Sequence, residues 1–325
     1  MKFSNNAMSA ILLCSYIGVD KESDLKPLSL GEWNTFLEKI IEKGLEPSVV
    51  LKGDLEALKE LGYDEEAMER ISRLVSRGAA VAFELDGLSG KGIEVITLFD
   101  SDYPTLLKRR LKRKTPPVLF YAGDIGLAKK VGIAVVGSRD VDEAGVEFTR
   151  ELVRKAAAEK LVIYSGGAKG VDIISESTAI VNGSAVVSFV ADSLSAKIKK
   201  KEVLENILQG KLLLISDVKP DAGFSAARAM NRNKYIYTSA YGAFVVSADY
   251  NKGGTWTGAV ENMKNEWTKT FVWNHKEYEG NRKLIEKGAV AYEPGPEKIY
   301  DVITQKEQVY NQMDLFQMMD SGGLE

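Results

Sequence analysis

The stretch VGIAVVGSR at residues 131–139 decides how the rest of the chain is interpreted. Residues 133–137 carry no charge and are mostly apolar, a pattern typical of a strand that is covered on both faces. Gly137-Ser138-Arg139 then breaks the run, and Asp140 and Asp142 can cap a helix predicted from about residue 143 to 160. Because free backbone N–H groups and the positive end of a helix dipole meet at such a junction, it suits a phosphate group.

Strand-like and helical segments alternate from residue 131 to about residue 292. The predicted strands occupy residues 133–136, 161–164, 185–190, 212–216, 243–247, 270–273 and 289–292. Alternation at this spacing implies parallel strands that are joined by right-handed crossovers. We therefore predict an α/β fold with a doubly wound, mostly parallel sheet over residues 131–293, in which a ligand lies at the carboxyl ends of the strands.

The first 85 residues have the pattern of an all-helical domain. Glu32 follows Ser29 at the spacing of a capping box, and Trp33 begins an apolar stripe at helical spacing. Asp54 and Asp64 can cap two further helices. The domain is either a packing module without a site of its own or an adaptor for a nucleic acid or a protein.

Residues 86–130 link the two domains through two short predicted strands, at 92–97 and 118–121. Between these strands, residues 108–114 (KRRLKRK) hold six basic residues in seven. This basic run is either a solvated helix face or a surface that contacts phosphates. The tail, residues 294–325, is polar and acidic around a small apolar cluster, and we expect it to be flexible.

Composition narrows the class of protein. The chain has 325 residues, of which 45% are hydrophobic and 27% charged, and this fits a soluble globular protein of two domains. Its one cysteine, Cys14, excludes an internal disulfide and favours a reducing, cytoplasmic setting. We expect no signal peptide and no membrane span. The net charge of −3 argues against a uniformly basic nucleic-acid coat but allows a local basic groove.

Two further turns at predicted strand ends have the same character as the first. Ser165-Gly166-Gly167 with Lys169 combines a hydroxyl, paired glycines that let the backbone wrap an anion, and a cation. Gly253-Gly254-Thr255 with Thr257 combines paired glycines, hydroxyls and a helix start. Tight turns alone explain any one of the three, but three together indicate a crevice lined for phosphate.

A cluster rich in hydrogen-bond donors, Asn231-Arg232-Asn233-Lys234, lies between the second and the third turn. Tyr235 and Tyr237 follow it, and their rings offer faces for base stacking. The alternative is a charged helix whose aromatic residues pack inside the protein.

Catalytic residues are harder to recognise. The single histidine, His275, has no serine or cysteine nucleophile beside it in the sequence. We find no GxGxxG, no phosphate-binding P-loop and no spacing typical of metal ligands. We therefore expect no catalytic residue, no metal and no cofactor, and a crevice that binds without reacting.

Four of these motifs together resemble the DprA/Smf family, the DNA-processing proteins of bacterial transformation. The matching segments are VGSR at 136–139, SGGAKGVD at 165–172, RNK at 232–234 and GGTWTGA at 253–259. The segments GIEVITLFDSDYPTLL and TPPVLFYAGD are similar to the lead-in of that family to its sheet. The resemblance covers about residues 90–293.

The resemblance implies a Rossmann-like domain that binds single-stranded DNA without cutting it, helps to load a RecA-type recombinase in DNA uptake or recombination, and forms a homodimer. It also implies that four cations line the pocket: Arg139, Lys169, Arg232 and Lys234. Hydroxyl or backbone N–H groups would reach phosphates at Ser138, Ser165, Gly166, Gly167, Gly253, Gly254 and Thr255. The predicted phosphate-binding set is completed by Gly137, Asn231, Asn233 and Thr257. Affinity of this kind falls as salt rises.

The chain departs from the family pattern at several positions. Asp142 and Ala144-Gly145 stand where the family has serine and Tyr-Gly, Lys169 replaces an arginine, and Glu176 replaces a histidine. Asp249 stands near a usual glutamate, and no winged-helix domain is expected after the sheet. These departures leave the fold intact and indicate a divergent member, with genome defence or a mobile element as alternatives to transformation.

A second hypothesis is a nucleotide-binding sensor or a phosphoribohydrolase-like enzyme of the wider Rossmann-like group. The turn that begins at Gly253, with Glu261 nearby, is loosely similar to the PGGxGTxxE loop of cytokinin-activating phosphoribohydrolases. The spacing to Glu261 is one residue too long, and Trp256 occupies the position of a glycine.

The tail contains a second short motif. Gln312-Met313-Asp314-Leu315-Phe316 is similar to the QLxLF peptide by which bacterial replication and repair proteins bind the sliding clamp. In that interpretation Leu315 and Phe316 fill an apolar pocket and Gln312 adds hydrogen bonds. The alternative is a helix end that packs on the chain's own domain.

Overall fold

The computed structural model describes residues 3–20, 22–52 and 55–304, and these residues form a sheet of nine strands that is flanked by helices. The strands are β1 (Glu94–Thr97), β2 (Val118–Ala122), β3 (Gly132–Val136), β4 (Val162–Ser165), β5 (Val186–Phe189), β6 (Leu212–Ser216), β7 (Gly242–Val245), β8 (Thr270–Trp273) and β9 (Val290–Tyr292). Their order across the sheet is β1-β2-β6-β5-β4-β3-β7-β8-β9. Along this sheet order, every neighbouring pair after β2–β6 is parallel.

The helices precede the sheet and then alternate with its strands. The α-helices are α1 (Asn5–Cys14), α2 (Leu30–Glu42), α3 (Leu55–Glu60), α4 (Glu65–Val75), α5 (Gly78–Ser89), α6 (Thr105–Leu111), α7 (Glu143–Ala158), α8 (Val171–Val181), α9 (Leu194–Lys197), α10 (Lys201–Leu208), α11 (Ala226–Ser239), α12 (Gly253–Asn265), α13 (Glu279–Glu286) and α14 (Ile299–Thr304). Short 3₁₀ helices occupy Pro47–Lys52, Lys112–Lys114 and Ile125–Lys129. Among the described residues, no helix has both the length and the apolar character that crossing a membrane requires.

The predicted α/β fold with a mostly parallel sheet is confirmed. Each predicted strand is present, with its ends shifted by at most two residues. The strands predicted at 92–97 and 118–121 belong to the same sheet, where β1 pairs with β2 and β2 with β6, both antiparallel. All five residues of β3 are buried, as expected of a strand that helices cover on both faces.

The connections place β3 at the point where the strand order reverses. From β3 the chain passes through β4 and β5 to β6 on one side, and α11 then carries it back to β7 on the other side of β3. The carboxyl ends of β3, β4 and β7 are therefore neighbours. In doubly wound sheets, ligands bind at this reversal.

The N-terminal helices begin where the sequence predicts. Ser29 and Glu32 form the full capping box of α2, and Asp64 accepts a hydrogen bond of 2.8 Å from the Ala67 N–H at the start of α4. Trp33 and Phe36 are almost completely buried. Asp54, the other predicted cap, lies outside the described residues.

Two charged side chains hold these helices together and against the sheet. The buried guanidinium of Arg77 donates to the Ile17 carbonyl at 2.6 Å and to the Leu12 carbonyl. Glu84 accepts a hydrogen bond of 2.6 Å from the Gly18 N–H and pairs with Lys219, after β6, at 3.2 Å. The pair with Lys219 joins α5 to the loop at the end of β6.

The basic run at 108–114 lies on α6 and the turn after it, and much of its charge serves structure. Arg110 donates to the carbonyls of Thr238 and Ala240 at the C-terminal end of α11, where unpaired carbonyls and the helix dipole favour a cation. Arg113 pairs with Glu38 of α2, and the Lys114 ammonium lies 5.8 Å from the ring centre of Trp267.

Candidate functional site

A crevice of about 410 Å³ opens at the carboxyl ends of the central strands. The turn after β3 lines one wall of it, and the start of α8, which follows β4, lines the floor. Helix α11 and the turn between β7 and α12 form the remaining walls. The three predicted turns thus come together at one edge of the sheet.

Two glycines allow the first two turns to pack closely. A Cβ at Gly137 would lie 2.5 Å from Cγ2 of Val171, so a larger residue there would push α8 away from β3. Gly170 has φ +83°, and a Cβ at this position would lie 2.3 Å from the Ser138 carbonyl oxygen. The requirement for glycine at both positions fixes the relative position of these two turns.

The floor of the crevice contains a buried arginine with unused donors. Arg232 is 5% exposed, and its Nε and Nη1 have no hydrogen-bond partner among the described residues. A Cβ at Gly166 would lie 1.1 Å from Nη1, so the guanidinium occupies the space that this glycine leaves open. Tyr237 lines the same crevice, is 1% exposed, and has an equally unpartnered hydroxyl. Such buried, unsatisfied donors are unfavourable unless an acceptor binds there.

The nearest carboxylate does not satisfy this arginine. Asp172 Oδ2 lies 3.9 Å from Arg232 Nη1, beyond hydrogen-bond distance. Burial raises the pKa of Asp172, and the charge of Arg232 lowers it in part. Burial lowers the pKa of Arg232, yet a guanidinium remains protonated in proteins. The floor of the crevice therefore keeps a cation with hydrogen-bonding capacity for an anion.

A second carboxylate lies behind this floor. Glu176 accepts hydrogen bonds from the Gly167 N–H at 2.8 Å and from the Ser188 hydroxyl at 2.7 Å. Burial, with a contribution from the charge of Asp172, raises the pKa of Glu176 to about 7, although both hydrogen bonds and the charge of Lys197 oppose that rise. Its charge therefore changes near neutral pH.

The third turn presents the open end of a helix to the crevice. Lys252 is the N-cap residue of α12, and its side chain makes no capping hydrogen bond. Gly253 has φ +74°, which lets the chain turn sharply into the helix. Asn233 donates to the Gly254 carbonyl at 3.3 Å and so ties α11 to this turn. The first N–H groups of α12 are thus held at the crevice, where they suit an anion.

The rim carries exposed cations. Arg139 lines the crevice, is exposed, and makes no hydrogen bond or ion pair with any part of the chain that the structure describes. Lys169 pairs with Asp140 at 3.4 Å, but both side chains are largely exposed, so this pair is weak. Lys169 does not line the crevice, whereas Lys252, which the sequence analysis did not single out, is a second exposed cation that does.

The donor-rich cluster at 231–234 is split between two sides of α11. Arg232 and Asn233 line the crevice, whereas Asn231 and Lys234 line a separate cavity beside the N-terminal helices. On that side, Asn231 donates to Asp217 at 3.1 Å and accepts from Lys234 at 2.7 Å. Residues of a helix are turned by about 100° from one to the next, so four in a row cannot share one face.

Other members of the predicted set also lie away from the crevice surface. Ser165 is completely buried and its hydroxyl points to the Val135 carbonyl at 3.5 Å. The Gly167 N–H is taken by Glu176, and the Thr257 hydroxyl donates to the Gly253 carbonyl at 3.0 Å. The predicted set therefore reaches the crevice surface at Gly137, Ser138, Arg139, Arg232, Asn233, Gly253, Gly254 and Thr255.

The exposed aromatic residue at the crevice is not one that the sequence analysis singled out. Tyr235 and Tyr237 are at most 2% exposed, so the expectation that their rings stack on bases is wrong. Phe224, just before α11, lines the crevice and is 62% exposed. The apolar neighbours of the tyrosines in the sequence signal their burial, whereas no local pattern marks Phe224.

The single histidine lies outside the crevice. His275 is half-buried, and its ring centre lies 4.4 Å from that of Trp273 and 5.0 Å from that of Tyr278. Within residues 3–20, 22–52 and 55–304, no group of histidine, cysteine and acidic residues is placed to hold a metal ion.

Comparison with curated proteins agrees with this arrangement. The chain is 29% identical over 139 residues to DNA processing protein DprA of Streptococcus pneumoniae, a match that covers 42% of this chain and 49% of the relative. The chain thus matches about half the length of that protein. To DprA of Bacillus subtilis it is 23% identical over 287 residues, or 84% of this chain and 95% of the relative.

Solved structures and a family model complete the comparison. The X-ray structure of DprA from S. pneumoniae matches with a TM-score of 0.63 and 22% identity, over 94% of this chain and 99% of that one. DprA from Helicobacter pylori, whose structure gives insight into its single-stranded DNA binding mode, matches with a TM-score of 0.52 and 25% identity, over 65% and 94%. The model of DNA recombination-mediator protein A matches residues 94–304, more than half of the chain. The chain therefore belongs to the DNA recombination-mediator protein A family, the family of DprA and Smf.

Proposed function

We propose that this chain binds single-stranded DNA in the crevice without cutting it, and acts in DNA processing during uptake or recombination. The observation that carries the proposal is the buried guanidinium of Arg232, which has two N–H-bearing atoms without partners. A phosphate oxygen that reaches this guanidinium at the crevice floor would accept charge-assisted hydrogen bonds from it. Such bonds would offset the cost of keeping the cation desolvated.

The rest of the crevice suits a longer polyanion. Arg139 and Lys252 stand at the rim, and the first residues of α12, residues 253–255, line the crevice as well. Contacts of this kind hold the phosphate backbone and do not depend on base sequence. The DprA of H. pylori, which the chain matches over 65% of its length, has a single-stranded DNA binding mode of its own, and this supports the proposal.

One exposed aromatic ring at the crevice is available to stack on an unpaired base of the bound DNA. Phe224 is 62% exposed at the crevice, and Met230 of α11, 38% exposed, lies along the same wall. Stacking of a base on an aromatic ring contributes about 1–3 kcal/mol and requires a base that is free of its partner strand. This combination favours single-stranded over double-stranded DNA.

The proposal is tested by titrating a fluorescent oligothymidylate with the protein and following anisotropy at several salt concentrations. We expect log affinity to fall linearly with log salt, by about 0.7 for each phosphate that is neutralised. Replacement of Arg232 by methionine should weaken binding by about tenfold or more, because hydrogen bonds to a charged group contribute about 1.5–3 kcal/mol.

The matched control is Arg154→Met on α7. Arg154 is an exposed arginine that pairs with Glu147 at 3.0 Å and does not line the crevice, so its replacement should leave the affinity unchanged. Binding that is absent, insensitive to salt, or equally weakened by both substitutions would contradict the proposal.

Small nucleotides are the second candidate ligand. The crevice volume of about 410 Å³ falls within the usual range of small-molecule sites. Glu261, the carboxylate that a phosphoribohydrolase-like reaction would use, lies two turns into α12 and does not line the crevice. Incubation with nucleoside monophosphates tests this alternative: bound nucleotide that excludes DNA would support a sensor, and released base would support hydrolysis.

Two partner proposals rest on the family resemblance alone. We propose that the chain forms a homodimer and that it helps to load a RecA-type recombinase onto bound single strands. Light scattering at increasing protein concentration tests the first. The second predicts faster recombinase assembly on DNA that is coated with single-strand binding protein, measured with and without the chain.

A further inference from the structure

A second, smaller cavity lies between α2 and the turn after α6. Its volume is about 120 Å³, close to the roughly 150 Å³ that holds a benzene ring in an apolar protein cavity. Trp33, Leu37 and Ile41 of α2 line it, together with Leu98 after β1. Ile41 is 47% exposed and the buried Trp33 Nε1 has no partner among the described residues. This apolar groove is open to a further side chain.

Three cations and one carboxylate, Glu38, line the groove. Lys108, Lys112 and Arg113 line its rim. Lys108 donates to the Leu98 carbonyl at 3.1 Å, and Arg113 pairs with Glu38. Lys112 is exposed, and its side chain makes no hydrogen bond or ion pair within the described part of the chain. An apolar floor with a basic rim favours an occupant that is apolar and acidic at once.

The end of the chain, beyond the described residues, has that chemistry. Residues 312–316 read QMDLF, and every charged residue from Glu307 to Glu325 is acidic. We propose that the segment 312–316 docks into this groove of its own chain, with Leu315 or Phe316 in the cavity and Asp314 beside Lys112. The occupant is then a part of the protein itself, and the groove is the site that receives it.

The segment is long enough to reach the groove. The last described helix, α14, places Ile303 against β7: a Cβ at Gly242 would lie 2.6 Å from Ile303 Cγ2. Two residues before Gly242, the Ala240 carbonyl accepts a hydrogen bond from Arg110, which is three residues from Arg113 at the groove. The path from Ile303 to the groove therefore consists of a few steps, each the length of one side chain or one turn. The nine residues after Thr304 span about 30 Å when extended, which is enough to follow this path.

Docking of this kind would control access to the tail. Leu315 and Phe316 are the side chains that a sliding clamp or another partner would bind, and they cannot occupy two pockets at once. The docked tail would therefore be withheld until a partner competes for it. Salt should weaken docking, because Asp314 and Lys112 would meet at an exposed rim.

A disulfide test in the full-length chain decides this proposal. We would compare the rate of disulfide formation in Ile41→Cys/Leu315→Cys with that in Val181→Cys/Leu315→Cys, by mass spectrometry without reductant. Val181 is 84% exposed on α8 and serves as the matched control. The native Cys14 is a poor competitor, since burial raises the pKa of its thiol. We expect the Ile41 pair to close at least about tenfold faster, because docking holds the two residues within disulfide range.

Two further measurements test the docking, one from the tail and one from the rim of the groove. In Leu315→Asp/Phe316→Asp, amide hydrogen exchange of α2 should become several-fold faster than in the wild-type chain, and Lys112→Glu should slow closure of the Ile41 disulfide by a similar factor. Equal closure rates for the two pairs, faster closure at Val181, disulfides between two chains, or unchanged exchange in α2 would each overturn the proposal.

Discussion

Replacement of Gly166 by alanine should weaken DNA binding by at least about tenfold, although it removes no side chain from the crevice surface. The new Cβ would lie 1.1 Å from Nη1 and 2.3 Å from Cζ of Arg232, so the guanidinium must leave its place. Gly166 does not have a positive φ, so alanine fits the backbone itself. The substitution therefore changes the position of one cation and little else.

The size of the effect follows from what the guanidinium does in the proposed complex. Hydrogen bonds to a charged group contribute about 1.5–3 kcal/mol, which corresponds to roughly 10- to 150-fold in Kd. The free energy of unfolding should change by less, within about 1 kcal/mol, because relief of burial offsets loss of the 3.9 Å pair with Asp172. The salt dependence should lose about one phosphate contact.

The assay is a double-mutant cycle by fluorescence anisotropy with Gly166→Ala, Arg232→Met and the two combined. Since both changes remove the same guanidinium, the combined loss should equal that of either alone. Gly87→Ala in α5, where an added Cβ meets no atom within 4 Å, is the control and should bind normally. Wild-type affinity in Gly166→Ala, or losses that add in full, would refute this reasoning.

Three further substitutions test other parts of the account. The pKa of Glu176 is raised from an ordinary 4.5 to about 7, so the folded protein holds this proton more tightly than the unfolded chain. The protonated side chain therefore adds up to about 3 kcal/mol to the free energy of unfolding below pH 4.5, and this contribution is lost as pH rises through 7. Glu176→Gln should flatten that profile in urea unfolding between pH 4.5 and 8.5; an unchanged slope would contradict it. Phe224→Ala should weaken oligonucleotide binding by about 1–3 kcal/mol, whereas Phe83→Ala, at an even more exposed ring of α5, should not; equal effects would exclude stacking. Arg110→Met should lower the free energy of unfolding by about 1–3 kcal/mol, because α11 loses the donor to two end carbonyls, and calorimetry that shows no change in Tm would count against it.

Local sequence patterns predict most of the fold because they arise from local physics. The uncharged run of β3 and the cap at Ser29 depend on residues next to one another in the chain, and both were predictable. The antiparallel pairing of β1 and β2 at the edge depends on contacts far apart in sequence. The residue periodicity within a strand does not determine which other strand it pairs with.

The site divides in the same way. The turns at Gly137 and Gly253 are visible because glycine at a strand end has a local cause. The opposite directions of Arg232 and Lys234 follow from helical periodicity, so a helical wheel of α11 would have separated them. The burial of Arg232 against Gly166 brings together residues 66 positions apart, and the exposure of Phe224 depends on the shape of the whole crevice. No local sequence pattern predicts either feature.

The central claim is that single-stranded DNA runs through the crevice at the carboxyl ends of β3, β4 and β7. Photo-cross-linking of an oligonucleotide that carries 5-iodouracil, with the attached peptides identified by mass spectrometry, tests it most directly. We expect the main cross-links on the peptide that contains Phe224, and their loss in Arg232→Met but not in Arg154→Met. Cross-links confined to the basic run at 108–114 or to the N-terminal helices, and unaffected by Arg232→Met, would contradict the claim.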